Sequence, residues 1–239
     1  MLGQPFRVIV VGASSGIGAE LVRRLHASGA HVAAVARREE RLAQLPSGVR
    51  TYPHDVTHFE EVPALFQQIA KDLGGLDTII YAAGVMPATG PTEYDFAKDR
   101  QMVETNLLGA IAWLNQAAER FAAAKAGTIV AIGSVAGDRG RAGQPVYNTS
   151  KAALATYLEA LRNRLSRLGV RVITIKPGPV ATEMTAGLNL KNAMPVEKAA
   201  ETILKKMKKN GEHYLSPVHR VIFAIIRRIP SPIFRKLKL

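Results

Sequence analysis

The chain has 239 residues, 47% of them hydrophobic and 21% charged, which suits one α/β domain with a full core. Against 19 acidic residues stand 32 lysines and arginines, a net charge of +13, and the absence of cysteine excludes disulfides and thiolate metal sites. No apolar run approaches the roughly 18–20 residues of a membrane span, and the opening MLGQPFRVIVVGASSG lacks the layout of a signal peptide, so a cytoplasmic protein is expected.

In chain order, the β-branched run FRVIVVG at 6–12 predicts a buried strand ending at Gly12. GIGAELVRRLHASGA follows, with Ile17, Leu21 and Leu25 at helical spacing and Gly29 as its stop. HVAAVA at 31–36 predicts the second strand, and EERLAQL a short helix. Further strands are predicted at 49–55, 76–84, 127–134 and 170–178, with helices near 58–72, 95–124 and 147–168. Apolar strands alternating with helices imply a parallel sheet covered on both faces. That is a doubly wound α/β fold, whose ligands gather at the carboxyl ends of the strands. One domain is expected over 1–216, followed by a basic amphipathic extension at 217–239.

Gly12, Gly16 and Gly18 stand in the first strand-to-helix turn with the spacing G-x-x-x-G-x-G. Glycine lets a backbone approach a pyrophosphate, whose charge the helix N-terminus stabilises. The second strand runs out as AVARRE. Ala36 is no acid that could hold a ribose 2′-hydroxyl, whereas the guanidinium forks of Arg37 and Arg38 suit a 2′-phosphate. The pattern favours NADP(H).

Tyrosine precedes lysine by four residues twice, in YDFAK (Tyr94, Lys98) and in YNTSK (Tyr147, Lys151). On a helix either pair shares a face. Tyr94 follows a proline- and glycine-bearing loop and has no partner that would converge on it. Tyr147 lies downstream of Ser134, which closes the strand TIVAIGS, and of Asn106, which lies within the preceding long helix. Asn106, Ser134, Tyr147 and Lys151 make a coherent set for reducing a ketone. Serine positions the oxygen, tyrosine gives it a proton, and the adjacent ammonium is expected to lower the phenol's pKa. Lys151 also reaches the cofactor ribose, and Asn106 holds a water that returns the proton. Tyr94 and Lys98 are expected on a helix surface. The histidines at 26, 31, 54, 58, 213 and 219 show no metal-ligand spacing.

Together these residues resemble the short-chain dehydrogenase/reductase family, over residues 6 to about 215. The resemblance implies that Gly12, Ser14, Ser15, Gly16, Ile17 and Gly18 form the cofactor loop, that Asp55 and Val56 contact the adenine, and that Ala83 and Gly84 lie along the cofactor. It gives the catalytic roles to Asn106, Ser134, Tyr147 and Lys151, the last two also touching cofactor. In PGPVAT, Pro177, Gly178, Val180 and Thr182 would hold the nicotinamide carboxamide. It further implies the sheet order 3-2-1-4-5-6-7, and homodimers or tetramers built on the fourth and fifth helices. Two departures stand out. Val11 replaces the family's common Thr, and Tyr81-Ala82-Ala83-Gly84 replaces Asn-Asn-Ala-Gly, so polar groups that tie the loop to the central strands are missing.

The activity implied is NADP(H)-dependent interconversion of a carbonyl and a secondary alcohol. The short, fairly apolar EMTAGLNLKNAMP after Thr182 points to a small hydrophobic substrate. Two alternatives stay open: a 3-oxoacyl carrier-protein reductase, drawn to its acidic partner by basic surface, and a sensor that binds NADP without turnover. The kept Tyr147 and Lys151 speak against the sensor. The few aromatics of the tail speak against a nucleic-acid partner.

Residues 191–239 carry twelve lysines and arginines against three glutamates. Within 217–239, Val218, Val221, Ile222, Ile225, Ile226 and Ile229 recur at helical spacing, with Arg220, Arg227 and Arg228 outside the stripe and Pro230 and Pro232 ending it. Ile233, Phe234 and two leucines follow among three more cations. Either the stripe closes over the sheet or a second subunit, or it lies peripherally on an anionic membrane surface.

Overall fold

The first strand sends Val8 and Val10 to one face and Ile9 and Val11 to the other, as the period of two requires, and all four are fully buried. Two helical layers are therefore needed. The computed structural model describes residues 6–90, 92–187, 190 and 192–237. Leu188, Asn189 and Lys191 of the segment after Thr182, and Lys238 and Leu239 of the tail, lie outside them. Along the chain come β1 (Arg7–Val11), α1 (Gly16–Ala27), β2 (His31–Ala36), α2 (Glu39–Leu42), β3 (Arg50–Pro53), α3 (Val62–Asp72), β4 (Thr78–Tyr81), α4 (Phe96–Val103), α5 (Gly109–Ala124), β5 (Gly127–Ile132), α6 (Pro145–Leu165), β6 (Val170–Lys176), α7 (Val196–Lys206), β7 (Gly211–Tyr214), α8 (Pro217–Ile226) and α9 (Ser231–Phe234).

The seven strands form one parallel sheet in the order β3-β2-β1-β4-β5-β6-β7. Val10 lies level with Ala34 on one side and Ile80 on the other. Leu21, Val22 and Leu25 of α1 and Ala199, Ala200 and Ile203 of α7 cover the Val8 face. Phe66 of α3, Trp113 and Phe121 of α5, and Leu154 and Leu158 of α6 cover the other. Burying a side chain such as Phe66 stabilises the fold by roughly 1.5–3 kcal/mol relative to leaving it exposed. Chain order reverses at β1, which has β2 and β4 as neighbours, so a crevice opens beyond the carboxyl ends of those strands.

Three expectations need correction. The strands are shorter than their apolar runs, since 76–84 narrows to Thr78–Tyr81 and the remainder becomes loop at the crevice. The patterns also missed α7 and β7. In β7 only Tyr214 is buried, so that edge strand presents no apolar run. Finally, the helix expected over 95–124 is broken by a π-helical turn, Glu104–Leu108, between α4 and α5. At this wide turn Tyr81 makes a bond of its own. Its buried hydroxyl donates to the Thr105 carbonyl at 2.6 Å. A side chain at Gly109 would meet that hydroxyl at 2.7 Å, so the phenol and the glycine belong together. Main-chain bonds hold the start of the glycine loop, Gly12 N to the Val35 carbonyl at 2.8 Å, and extend the β1–β4 ladder just before it, Ala82 N to the Val11 carbonyl at 2.7 Å.

The tail stripe closes over the body only in part, through Ile226, which packs against Tyr214 of β7 and Val135. Phe223, which lies outside the stripe, packs with Val135 and Tyr214, while Val218, Val221, Ile222 and Ile225 face outward. No helix among the described residues is long and apolar enough to cross a membrane.

Candidate active site

β1 delivers the glycine loop to the switch point. Gly12 has φ +89°, and a Cβ there would stand 2.3 Å from the Ala83 nitrogen, so only glycine lets the loop pass the end of β4 this closely. Around the loop lies a cleft of about 230 Å³. Its wall includes Gly12, Ser14, Ser15, Gly16, Ile17 and Gly18 at one end and Ser134, Tyr147 and Lys151 at the other. Arg37, Arg38, Val56, Ala83, Gly84, Pro177, Val180 and Thr182 complete the lining among the expected residues.

The two arginines are not free surface charges. Arg38 donates from Nη2 to the Ser14 and Ser15 hydroxyls at 2.9 and 2.7 Å, and from Nη1 to Glu183 at 3.1 Å. Glu183 also accepts from Arg41 at 2.9 Å, and the Arg38 hydrogen bond holds its carboxyl below the usual range. An anion is thus already drawn between two guanidinium groups beside two hydroxyls. Arg37 approaches Asp55 at 3.4 Å. Burial pushes the Asp55 carboxyl up, but the Thr57 amide and hydroxyl and the Arg37 charge more than offset it and hold the group low.

At the other end, Ser134 caps the turn that follows β5, its Oγ accepting from Ala136 N at 3.0 Å. Tyr147 and Lys151 stand one turn apart near the start of α6, which Pro145 opens. Lys151 is buried and donates to the Ile132 carbonyl at 3.0 Å. Burial lowers its pKa to about 8. Burial also raises Tyr147, with the facing Ser134 hydroxyl and the Arg141 charge pulling the other way. The expected lowering of the phenol is therefore absent from this structure. The Lys151 nitrogen is turned to the β5 carbonyl, 5.8 Å from the ring centroid.

Three expected residues do not line the cleft. Asn106 is fully buried, its oxygen accepting from Val85 N at 2.7 Å and its nitrogen donating to the Val85 carbonyl and Ser150 Oγ at 3.0 and 3.1 Å. Bonded at both ends of its carboxamide, the side chain braces the wall at Val85 and Ser150. Asp55 stands behind the lining, bonded to Thr57. Gly178 faces away from the cleft, and a Cβ there would stand 2.1 Å from the His219 ring.

Sequence reasoning missed His54 and Asp138. His54 lines the cleft with its ring nearly edge-on to Trp113, 5.6 Å between centroids, and only its place beside Asp55 could have signalled it. Asp138, its side chain 1% exposed, ends the turn that Ser134 begins. It accepts from Lys176 at 2.6 Å and Tyr214 at 2.7 Å, with Arg227 of the tail 3.8 Å away. Its partners are scattered along the chain, so no local pattern announces it. Tyr94 lies 94% exposed, and Lys98 pairs with Glu93 and donates to the Ala88 carbonyl.

A family model described as short chain dehydrogenase matches residues 7–193. An uncharacterized oxidoreductase of Myxococcus xanthus (strain DK1622) is 37% identical over 188 residues, 76% of this chain and 74% of that one. An uncharacterized oxidoreductase of Staphylococcus aureus (strain MW2) is 32% identical over 186 residues, 76% of this chain and 80% of that one. Among solved structures, a short chain dehydrogenase from Burkholderia cenocepacia J2315 in complex with NADP superposes with a TM-score of 0.86 at 24% identity, over 100% of both chains. At that identity the likeness is one of fold.

Proposed function

The chain belongs to the short-chain dehydrogenase family, and from that premise we propose a cytoplasmic NADP(H)-dependent oxidoreductase that interconverts a carbonyl and a secondary alcohol. The observation that carries this reading is one cleft with Ser134, Tyr147 and Lys151 at one end and the Arg37–Arg38 corner at the other. Arg38, Ser14 and Ser15 form a donor-rich corner that fits a 2′-phosphate, and Ala36 offers no carboxylate that would prefer a bare ribose. The Gly12 turn fits a pyrophosphate passing close to the main chain. The complex formed by the Burkholderia protein supports the same choice of nucleotide.

When bound, the nucleotide supplies or accepts the hydride. The Ser134 hydroxyl orients the substrate oxygen, and the Tyr147 phenol donates its proton there as charge develops. Lys151 would hold the nucleotide ribose. Turning its ammonium from the Ile132 carbonyl toward that ribose brings positive charge to bear on the phenol and favours proton release. Asn106 keeps the cleft wall in register through Val85 and Ser150. The lining around Val180 and Met184 suits a small hydrophobic carbonyl or alcohol. A homodimer or tetramer built on α4–α5 and α6 is the assembly this reading expects, and light scattering checks it.

A panel of ketones and aldehydes incubated with the protein and NADPH, followed by loss of the nucleotide's absorbance, tests the proposal. Consumption with at least one carbonyl and with NADPH in preference to NADH is expected. Tight NADPH binding without consumption would favour the sensor instead. The net charge of +13 favours adding 3-oxoacyl thioesters of an acidic carrier protein to the panel, and reduction of those alone would favour the carrier-protein reductase.

A further inference from the structure

We propose that α8 and α9 form a docking face for an anionic lipid surface. The outward face of α8 leaves Val218 62%, Val221 61%, Ile222 43% and Ile225 60% exposed, and Ile233 and Leu237 extend it at 55% and 43%. Arg220 and Arg228 line the same shallow apolar hollow as Val221, Ile225 and Ile229. An apolar stripe bordered by cations is what an interfacial helix presents to headgroups and acyl chains.

The opposite face holds these helices to the body, so the stripe is not free to turn inward. Phe223 and Phe234 are buried, and the Arg139 guanidinium sits 4.5 Å over the Phe234 ring while donating to the Arg227 carbonyl at 3.2 Å. Charge decides between occupants. Residues 217–239 contain six lysines and arginines and no acidic residue. A second copy meeting its own mate would set Arg220 and Arg228 against arginines, whereas anionic headgroups complement both the charge and the stripe. On its inner side α8 packs near the cleft, with Phe223 on Val135, next to Ser134. Docking through the outer side would hold the catalytic end of the sheet near a bilayer, a source of apolar carbonyl compounds. That consequence for substrate rests on the reductase reading, but docking itself does not.

Truncation at Ser216 would strip Phe223 from Tyr214 and Arg227 from Asp138, so exposed-residue variants of the full chain carry the test. Flotation is run without nucleotide or substrate, on vesicles of phosphatidylcholine alone and with phosphatidylglycerol, at low and high salt. The chain is expected to float with phosphatidylglycerol vesicles and to release as salt rises. Val221→Ser with Ile225→Ser should abolish flotation at an unchanged thermal midpoint. Arg220→Ala with Arg228→Ala should weaken it about 25-fold, taking about fivefold per cation near an anionic surface. No flotation of the parent, or equal flotation of both variants, overturns the proposal. So does an oligomer that Val221→Ser with Ile225→Ser splits while the parent ignores vesicles, which hands the face to a second copy. A chain that floats yet reduces nothing keeps the docking and loses the reductase.

Discussion

Two tyrosine–lysine pairs of identical spacing stand in opposite surroundings. Tyr94 is almost wholly exposed, and Lys98 is raised above its ordinary pKa by its hydrogen bond to Glu93. Tyr147 and Lys151 lie against the end of β5, where burial drives the lysine down to about 8 and the phenol up. Both pairs obey the same helical geometry. What differs is the element before each helix. α6 follows a strand whose end carries Ser134 into the cleft, whereas α4 is capped by Asp95 and neither Tyr94 nor Lys98 is among the cleft residues. Spacing makes a pair, and the edge of the sheet sets one of the two in the cleft.

The largest effect that would break this comparison is expected from Lys151→Ala. Turnover should fall about 10²- to 10⁴-fold, the range supplied by general acid–base groups, and NADPH affinity should fall with it, read by nucleotide fluorescence. An equal loss from Lys98→Ala would erase the distinction. Next comes the corner that fits a 2′-phosphate. Arg37→Ser with Arg38→Ser should weaken NADPH by about 1.5–3 kcal/mol per lost charge-assisted bond and leave NADH alone, as direct titration of both nucleotides checks. A native preference for NADH would contradict the reading of these arginines.

The lysines should also give opposite pH dependences of stability. With Lys151 lowered to about 8 and an unfolded lysine near 10.4, the unfolded chain binds more protons in that window, so stability rises with pH there. Lys151→Met should remove that rise in urea unfolding of the nucleotide-free protein. Lys98 has a raised pKa, so its contribution is present below the unfolded value and is lost as pH climbs through the folded one. Being exposed, it should change the profile little. The smallest effect is expected from Tyr94→Phe, with turnover unchanged and stability within about 0.5 kcal/mol.

The glycine loop, the Arg37–Arg38 corner and the Tyr147–Lys151 pair were legible because each is local, with residue type and spacing adjacent in the chain. The π-helical turn was not, since Glu104–Leu108 continues the helical pattern on both sides. Nor was the partnership of Tyr81 with Gly109, which joins a strand to a helix start across the cleft wall. Helical spacing picked out an apolar stripe in the tail, but it could not say which face turns inward. Phe223 and Arg139 decide that, through contacts with Tyr214 and Phe234.

In the proposed reaction Tyr147 performs the proton transfer of an NADPH-dependent carbonyl reduction. NADPH affinity and carbonyl turnover, measured on the same preparations of the parent chain and of Tyr147→Phe, test it most directly. The account predicts nearly unchanged affinity, because the ring is kept, together with a fall in turnover of about 10²- to 10⁴-fold. A Tyr147→Phe protein that reduces the same carbonyl at the parental rate would contradict it.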